Sequence, residues 1–294
     1  MVDRVMVSFV TRFAPSPSGF LHLGHAYSAL VAFNAARQAE GDFLLRIEDI
    51  DKGRCRPEFE ATILEDLRWL GIDWRPPIRR QSDHLHEYDE ALQKLIRDGL
   101  TYRCFKTRKE IAEEILRAPH LAPEGPEGPA FVGERLPPDE ERALLQKEEP
   151  FAWRLSIART KERLGPRFEK LFVDEEALNG SVRRRFRATP EIFGDVILGR
   201  KDSGTSYHLA SVYDDAKQGV SHVIRGEDLR AAAHLHVLLQ ELLDLPHPVY
   251  RHHRLIIGEN GKRLAKRDQA KTLKTLRENG ATPSDVKRMV GLID

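Results

Sequence analysis

The spacing of apolar positions changes twice within the first fifty residues. Residues 5–13, VMVSFVTRF, are β-branched and aromatic and predict a strand. In HAYSALVAFNAARQAEG, Tyr27, Leu30, Val31 and Phe33 recur at helical spacing and Gly41 stops the helix, while FLLRIED (43–49) predicts a second strand. Strand, loop, helix and strand make the βαβ unit of a parallel sheet. Pro57 opens a further helix through Leu70, with Gly71 as its stop, and another runs from about His84 to Asp98 and ends at Gly99.

The pattern then loses this regularity. TYRCF (101–105) predicts a strand, and Thr107 and Glu110 form a capping box on a helix to about Arg117. Residues 119–138 contain six Pro and three Gly and predict an irregular loop. FAWRLSI (151–157) is again strand-like. Alternation resumes with GDVILGR, a helix around HLASVYDDAKQG, the strand HVIRG and a long helix from about Asp228 to Leu243. A hairpin follows with Glu259-Asn260-Gly261 at its turn. The division expected is a catalytic sheet domain in two halves, 1–100 and 191–257, an insertion at 101–190, and a loop with a short helical segment at 258–294. No internal repeat or low-complexity tail is visible.

Composition narrows this α/β picture. With 294 residues, 40% hydrophobic and 32% charged, the chain can bury a sizeable core under a well-solvated surface. No apolar run approaches the length of a membrane-spanning helix. The start, MVDRVMVSFV, lacks the plan of a signal peptide, so a cytoplasmic location is expected and Cys55 and Cys104 are expected as free thiols. A net charge of +1 argues against a general polyanion binder, but the charge is uneven: residues 251–294 hold eleven Lys/Arg against five Asp/Glu, and Arg183, Arg184, Arg185 and Arg187 form a second basic run. Such patches suit phosphate contacts, or are simply solvated faces.

Three constellations could carry chemistry. The first, PSPSGFLHLGH, lies between a strand and a helix. Gly24 would let a phosphate chain approach the backbone, the helix start offers free N–H groups, and His22 and His25, three apart, can face one ligand. The bland alternative is a surface loop with two incidental histidines. The second, KRLAKR (262–267), places cations where a loop could close on a pyrophosphate, or is an ordinary basic loop. The third is the acidic strand end Arg46-Ile-Glu48-Asp49-Ile-Asp51, able to hold an ammonium group in the crevice of a parallel sheet, or serving only as caps and ion pairs.

Together these pieces resemble one family over nearly the whole chain. PSPSGFLHLGH looks like the HIGH signature of class I aminoacyl-tRNA synthetases and KRLAKR like their KMSKS loop. RFAPSPSG, LRIEDID and YHLASVYDDAKQGVSHVIRGEDL narrow the resemblance to the glutamyl-tRNA synthetase branch. A Rossmann-type parallel sheet with an inserted acceptor-type subdomain is implied. Only 27 residues follow Arg267, where full-length members carry a large anticodon-binding region, so the plan is similar to the glutamyl-queuosine tRNA(Asp) synthetases, which attach glutamate to the queuosine base of the anticodon.

The resemblance implies that Arg12 pairs with the side-chain carboxylate of glutamate, with Ser16, Glu48, Tyr207 and Arg225 as further glutamate contacts and Glu48 taking the ammonium. His22, Gly24, His25 and Lys266 would serve ATP, with His22, His25 and Lys266 catalytic. Mg²⁺ is implied with ATP, a queuosine-containing tRNA(Asp) is the implied partner, and a monomer is expected. Two departures stand out. The family's zinc ligands are reduced to Cys104, with Lys106, Phe131 and Arg135 where the other ligands belong, and one thiolate makes no tetrahedral site, so zinc is not expected. Ala265 and Arg267 also depart from KMSKS. The competing readings are a minimal glutamyl-tRNA synthetase charging the terminal adenosine, and a non-catalytic paralogue that binds tRNA or glutamate.

Overall fold

The structure is a computed structural model that describes residues 8–117, 124–126, 128–256 and 272–293. Its frame is a largely parallel sheet. Strands β1 (Val10–Phe13), β2 (Asp42–Ile47) and β3 (Arg75–Arg80) pair in that order, all parallel. Helix α1 (Leu23–Gln38) crosses from β1 to β2, and α2 (Pro57–Trp69) from β2 to β3. A second run of strands is ordered β11 (His222–Gly226), β12 (Val249–His253), β8 (Phe172–Glu176) and β9 (Arg183–Arg187). The two runs meet through Ser221, whose N–H donates to the Val10 carbonyl at 3.0 Å and whose hydroxyl accepts from the Val10 N–H at 2.8 Å.

Alternation along the strands sorts side chains to two apolar layers. Phe43, Leu45 and Ile47 of β2, Phe13 and Ile224 join one core with α1 and α2. The short helices α9 (Leu273–Glu278) and α10 (Pro283–Met289) add Leu273 and Val286 to it. Val10, Leu44 and Val223 face the other core, with α3 (Leu85–Arg97), α7 (Tyr207–Lys217) and α8 (Ala232–Leu242). A sheet covered on both faces needs near-continuous apolar strands, which is how FLLRI reads apart from its arginine.

The structure differs from the sequence expectation at several points, of which three bear on the architecture. Strand β3 (RPPIRR) was not foreseen: Pro76 and Pro77 argue against a strand, and they are tolerated because β3 is the outer strand of its run. The helix expected over Asp228–Leu243 opens as a 3₁₀ turn, Glu227–Leu229, and α8 begins only at Ala232. Residues 101–190, expected as one insert, contribute to two sheets. β4 (Thr101–Cys104) and β7 (Ala152–Leu155) form a separate antiparallel sheet with β10 (Ile197–Gly199), while β8 and β9 join the main one. The hairpin expected at Glu259–Gly261 lies outside the described residues. None of the helices among them is long and apolar enough to cross a membrane.

The inserted sheet carries α4 (Arg108–Arg117), the two-residue strands β5 (Glu124–Gly125) and β6 (Gly128–Pro129), α5 (Pro138–Gln146) and α6 (Ile157–Leu164). Asp195 ties it together. Its buried carboxylate accepts from the Tyr102 hydroxyl at 2.9 Å and from the Gly133 and Ile157 N–H groups at 3.0 and 2.9 Å. Gly194 beside it has a φ of 61°. A Cβ there would stand 2.5 Å from the Phe131 carbonyl, so only glycine lets these two segments meet.

Candidate active site

A cleft of about 320 Å³ opens at the ends of β1, β2 and β11. Arg12, Ser16, His22, Gly24, His25, Glu48, Tyr207 and Arg225 all line it. The residues expected to contact glutamate or ATP are therefore in one place, except Lys266, which lies outside the described residues with the rest of the KMSKS-like segment.

The floor is a layer of buried arginines. Because side chains alternate, Arg12, Arg46 and Arg225 point to the same sheet face as Val10, Leu44 and Val223, toward α7. That helix answers with two adjacent acids. Asp215 accepts from Arg12 through Nε (2.9 Å) and Nη2 (3.3 Å), and from Arg46 Nη1 at 2.7 Å. Asp214, fully buried, accepts from Arg79 Nε at 2.7 Å, Gln81 Nε2 at 2.9 Å and the Tyr88 hydroxyl at 2.9 Å, with Arg46 Nε 3.6 Å away. Burial alone would raise the Asp215 carboxyl, but the guanidiniums of Arg12 and Arg46 outweigh it and hold it below the usual range. Arg46, fully buried, is held charged by Asp215, Glu48 and Asp214 against its own desolvation.

Glu48 stands at the end of β2, where Arg46 Nη2 (3.1 Å) is its one ion-pair partner among the described residues, and its N–H donates to the Pro15 carbonyl. Burial pushes its carboxyl up despite Arg46 and Arg12. The two acids read with it from the sequence are structural. Asp49 accepts from the Ser82 N–H and hydroxyl at 2.8 and 2.6 Å, and Asp51 pairs with Arg54 at 2.7 Å.

The HIGH-like turn caps α1. His22 is the N-cap: its Nδ1 accepts from the Gly24 N–H at 3.1 Å, while His25 Nδ1 accepts from the His22 N–H at 3.2 Å. Both rings, 3.8 Å apart, are thereby set in the tautomer with the proton on Nε2, so each is a neutral donor beside the helix start. Gly24 has a structural duty as well, since a Cβ there would come 3.0 Å from the His22 ring.

Arg225 differs from its neighbours. It is 5% exposed, yet no carboxylate among the described residues reaches it. Its Nε donates to His252 Nε2 at 3.4 Å, its Nη1 to His236 Nδ1 at 3.3 Å, and its Nη2 has no hydrogen-bond partner among the described residues. A buried cation without an anion in a cleft wall is a receptor for one. Tyr207 heads α7 and its hydroxyl is raised by burial. It also lines a second cavity of about 360 Å³ with Arg108, Phe131, Phe193, Arg200 and His208.

Sequence reasoning missed Asp214, Asp215, His236 and His252, and gave Arg46 no role of its own. The signal available was the Asp-Asp pair in the middle of a helix otherwise rich in buried residues, where charge must have a partner.

In the insertion, the positions that would hold zinc are filled differently. Cys104 is buried against Tyr102 and Phe131, Lys106 pairs with Glu114, and Arg135 lies 3.9 Å from Glu141. The Arg154 guanidinium lies 4.6 Å from the Phe131 ring centre. No group of three or more His, Cys, Asp or Glu able to hold a metal occurs among the described residues.

A doubly covered parallel sheet, a histidine-capped helix start beside the strand ends and a sheet inserted between the two halves define a class I synthetase catalytic domain. Residues 8–293 match the family of class I tRNA synthetases (E and Q), catalytic domain, and the chain belongs to that family. It is 47% identical over 96% of its length to a glutamyl-Q tRNA(Asp) synthetase of Rhodobacter capsulatus, all of which is covered. It is 36% identical to a glutamate–tRNA ligase of Aquifex aeolicus, of which it spans 54%. The crystal structure of a glutamate tRNA ligase from Elizabethkingia meningosepticum, in complex with its amino acid, superimposes with a TM-score of 0.68 at 29% identity. That match covers 89% of this chain and 52% of the other.

The arginine layer yields a stability prediction. Asp215→Asn leaves Arg12 and Arg46 buried with a neutral acceptor and should cost about 3–5 kcal/mol in a urea melt. A loss below about 1 kcal/mol would show that the layer is not held by charge. In the native chain this contribution is present at neutral pH and is lost only as pH falls through the depressed folded-state pKa of Asp215.

Proposed function

We propose that the chain activates L-glutamate with ATP as glutamyl-adenylate and transfers the glutamate to the queuosine base in the anticodon of tRNA(Asp). The observation that carries the amino-acid half is Arg225, a buried guanidinium with no anion beside it among the described residues, in the same cleft as the ionisable Glu48 and the start of α1. Glutamate supplies what these groups lack: a side-chain carboxylate for Arg225, assisted by Arg12 and Tyr207, and an ammonium for Glu48. Arg12 takes the smaller share of the clamp, because two of its nitrogens are already committed to Asp215.

With both ends of the substrate fixed, its α-carboxylate attacks the α-phosphorus of ATP in line and pyrophosphate leaves. The enzyme contributes position and charge stabilisation rather than a strong base. The Nε2–H groups of His22 and His25 and the α1 N–H groups face the phosphate charge, Gly24 leaves room for it, and Lys266 meets the leaving pyrophosphate. Mg²⁺ accompanies the nucleotide as a counter-ion. In the second step a hydroxyl of the queuosine ring attacks the activated carbonyl and AMP leaves. The cavity that shares Tyr207 with the cleft offers aromatic rings and arginines to an approaching nucleotide. Full-length similarity to a glutamyl-Q tRNA(Asp) synthetase favours this acceptor over the terminal adenosine.

Three measurements test the proposal. Labelled glutamate should pass to an isolated anticodon stem-loop carrying queuosine and not to the same stem-loop with guanosine. Transfer to both, or only to the terminal adenosine of a full tRNA(Glu), promotes the minimal glutamyl-tRNA synthetase instead. Glutamate affinity in ATP–pyrophosphate exchange should weaken on acidification. Glu48 must be ionised to hold an ammonium, and its raised pKa means the ionised form is lost at a higher pH than for an ordinary glutamate. The Glu48→Gln variant should bind glutamate poorly and lack this acid limb; an unchanged pH profile in that variant would remove Glu48 from the site. Finally, the insertion is proposed to stand without zinc. Elemental analysis should find none in stoichiometric amount, and zinc lost together with stability on Cys104→Ser would overturn that.

A further inference from the structure

Arg225 is fixed by groups that the cleft chemistry does not use. His252 faces it across the β11–β12 pair, in register, and His236 reaches it from α8. Each ring accepts a hydrogen bond from the guanidinium, at 3.4 and 3.3 Å, because a guanidinium only donates, and each has a second partner on its far side. His252 donates from Nδ1 to Glu175 Oε1 at 2.6 Å, so its Nε2 lone pair faces Arg225. His236 turns its Nδ1 lone pair to Arg225, which leaves its Nε2–H to donate to His208 Nδ1, 3.2 Å away. The guanidinium also lies over the Tyr250 ring, 5.1 Å from its centre.

The contrast with Arg12 and Arg46 on the same sheet face is one of charge. Those two are matched by carboxylates, whereas among the described residues Arg225 has nitrogen lone pairs and the Tyr250 ring as partners and no carboxylate. The nearest acid in its network, Glu175, is kept one imidazole away and is itself paired with Arg230 at 2.5 Å. Both rings stay neutral. Burial, then Arg225, pulls His252 down to about 4, and the same two causes bring His236 well below the usual histidine range.

We infer that His236 and His252 are positioning residues that orient Arg225 without neutralising it, and so set how strongly the cleft prefers an anionic side chain over a neutral amide. This rests on the reading of Arg225 as the carboxylate receptor. A carboxylate in either place would hold the guanidinium at least as firmly, but it would compete with the substrate for the same charge. A neutral acceptor satisfies the N–H groups and leaves the charge for the ligand. The unpartnered Nη2 is then the edge on which the substrate carboxylate closes.

The test compares His236→Glu with His236→Gln in the intact protein, by ATP–pyrophosphate exchange with glutamate and with glutamine, alongside thermal melts. His236→Glu should raise the glutamate KM on the order of a hundredfold with a much smaller change in kcat, and should narrow the preference for glutamate over glutamine. His236→Gln, which keeps a neutral acceptor, should hold the glutamate KM to within about threefold of the native protein. Equal losses in the two variants would mean that packing and not charge is at stake, and a native KM in His236→Glu would equally overturn the inference. Where His236→Glu does not fold, His252→Asp against His252→Asn gives the same contrast on the other ring, with the same outcomes. If the native protein shows no glutamate-dependent exchange, the reading of the cleft itself fails. If it exchanges normally and each acid–amide pair behaves alike, only the positioning role does.

Discussion

The pairing of arginines on the sheet with the two acids of α7 is the constraint from which the rest of the site follows. Strands β1, β2 and β3 each turn one arginine, Arg12, Arg46 and Arg79, toward the same helix, where a desolvated guanidinium gains from a counter-charge. Asp214 and Asp215 resolve this by dividing the work. Asp214 binds Arg79, Gln81 and Tyr88 and so ties β3 and α3 to α7, while Asp215 takes Arg12 and Arg46. Glu48 and Arg225 are left at the rim of this layer, one acid and one base not fully matched by protein. Complementary unmatched charges in one cleft are what a zwitterion with an acidic side chain needs. The same balance limits substitution: altering one member of the layer changes the charge seen by the others.

Much of the site was legible because its signals are local. Two histidines three apart at a glycine-bearing helix start need no tertiary knowledge to suggest a phosphate site, and the cap geometry of His22 and His25 gives that spacing a physical cause. The matching partners were not legible, because pairing across more than 160 residues leaves no local trace. Arg46 looks like a polar interruption in an apolar strand, and the Asp-Asp pair like a solvated turn of helix. Glu48, Asp49 and Asp51 read as one acidic strand end, yet the chain turns between them, so that only the first faces the cleft. Strand β3 was hidden by its prolines, which exclude an inner strand but not an outer one. The basic run of Arg183–Arg187 is an outer strand as well, with Arg183 and Arg185 at 3.6 and 4.0 Å from Asp174 and β12 and β8 between it and β11.

The insertion shows how one polar residue can organise a small sheet. Asp195 lies just before β10 and satisfies a hydroxyl and two N–H groups from separate segments, while its own carbonyl accepts from Arg154. The buried carboxylate is matched by donors rather than by a full counter-charge, in the way that several N–H groups stabilise an anion at a turn. Around it Phe131 packs on Cys104 and lies under the Arg154 guanidinium. These contacts join β4, β7 and the segment before β10 through hydrogen bonds and ring packing.

The insertion and the sheet core meet at Tyr207, which heads α7 directly after its Ser206 cap. The helix is therefore shared. Its first residue divides the cleft from the second cavity, and its later turns carry the acids that hold the arginines. His208, next to Tyr207, also lines the second cavity and touches His236, which touches Arg225. A hydrogen-bonded path of imidazole rings thus runs from the cavity beside the insertion to Arg225, the proposed receptor for the substrate carboxylate. Because every ring in that path is fixed by its neighbour, a shift of α7 by a fraction of an ångström would reach Arg225 as a change in hydrogen-bond geometry rather than in charge. The chemistry of the cleft thereby depends on the seating of one helix, and that seating depends on the buried pairs formed by Asp214 and Asp215.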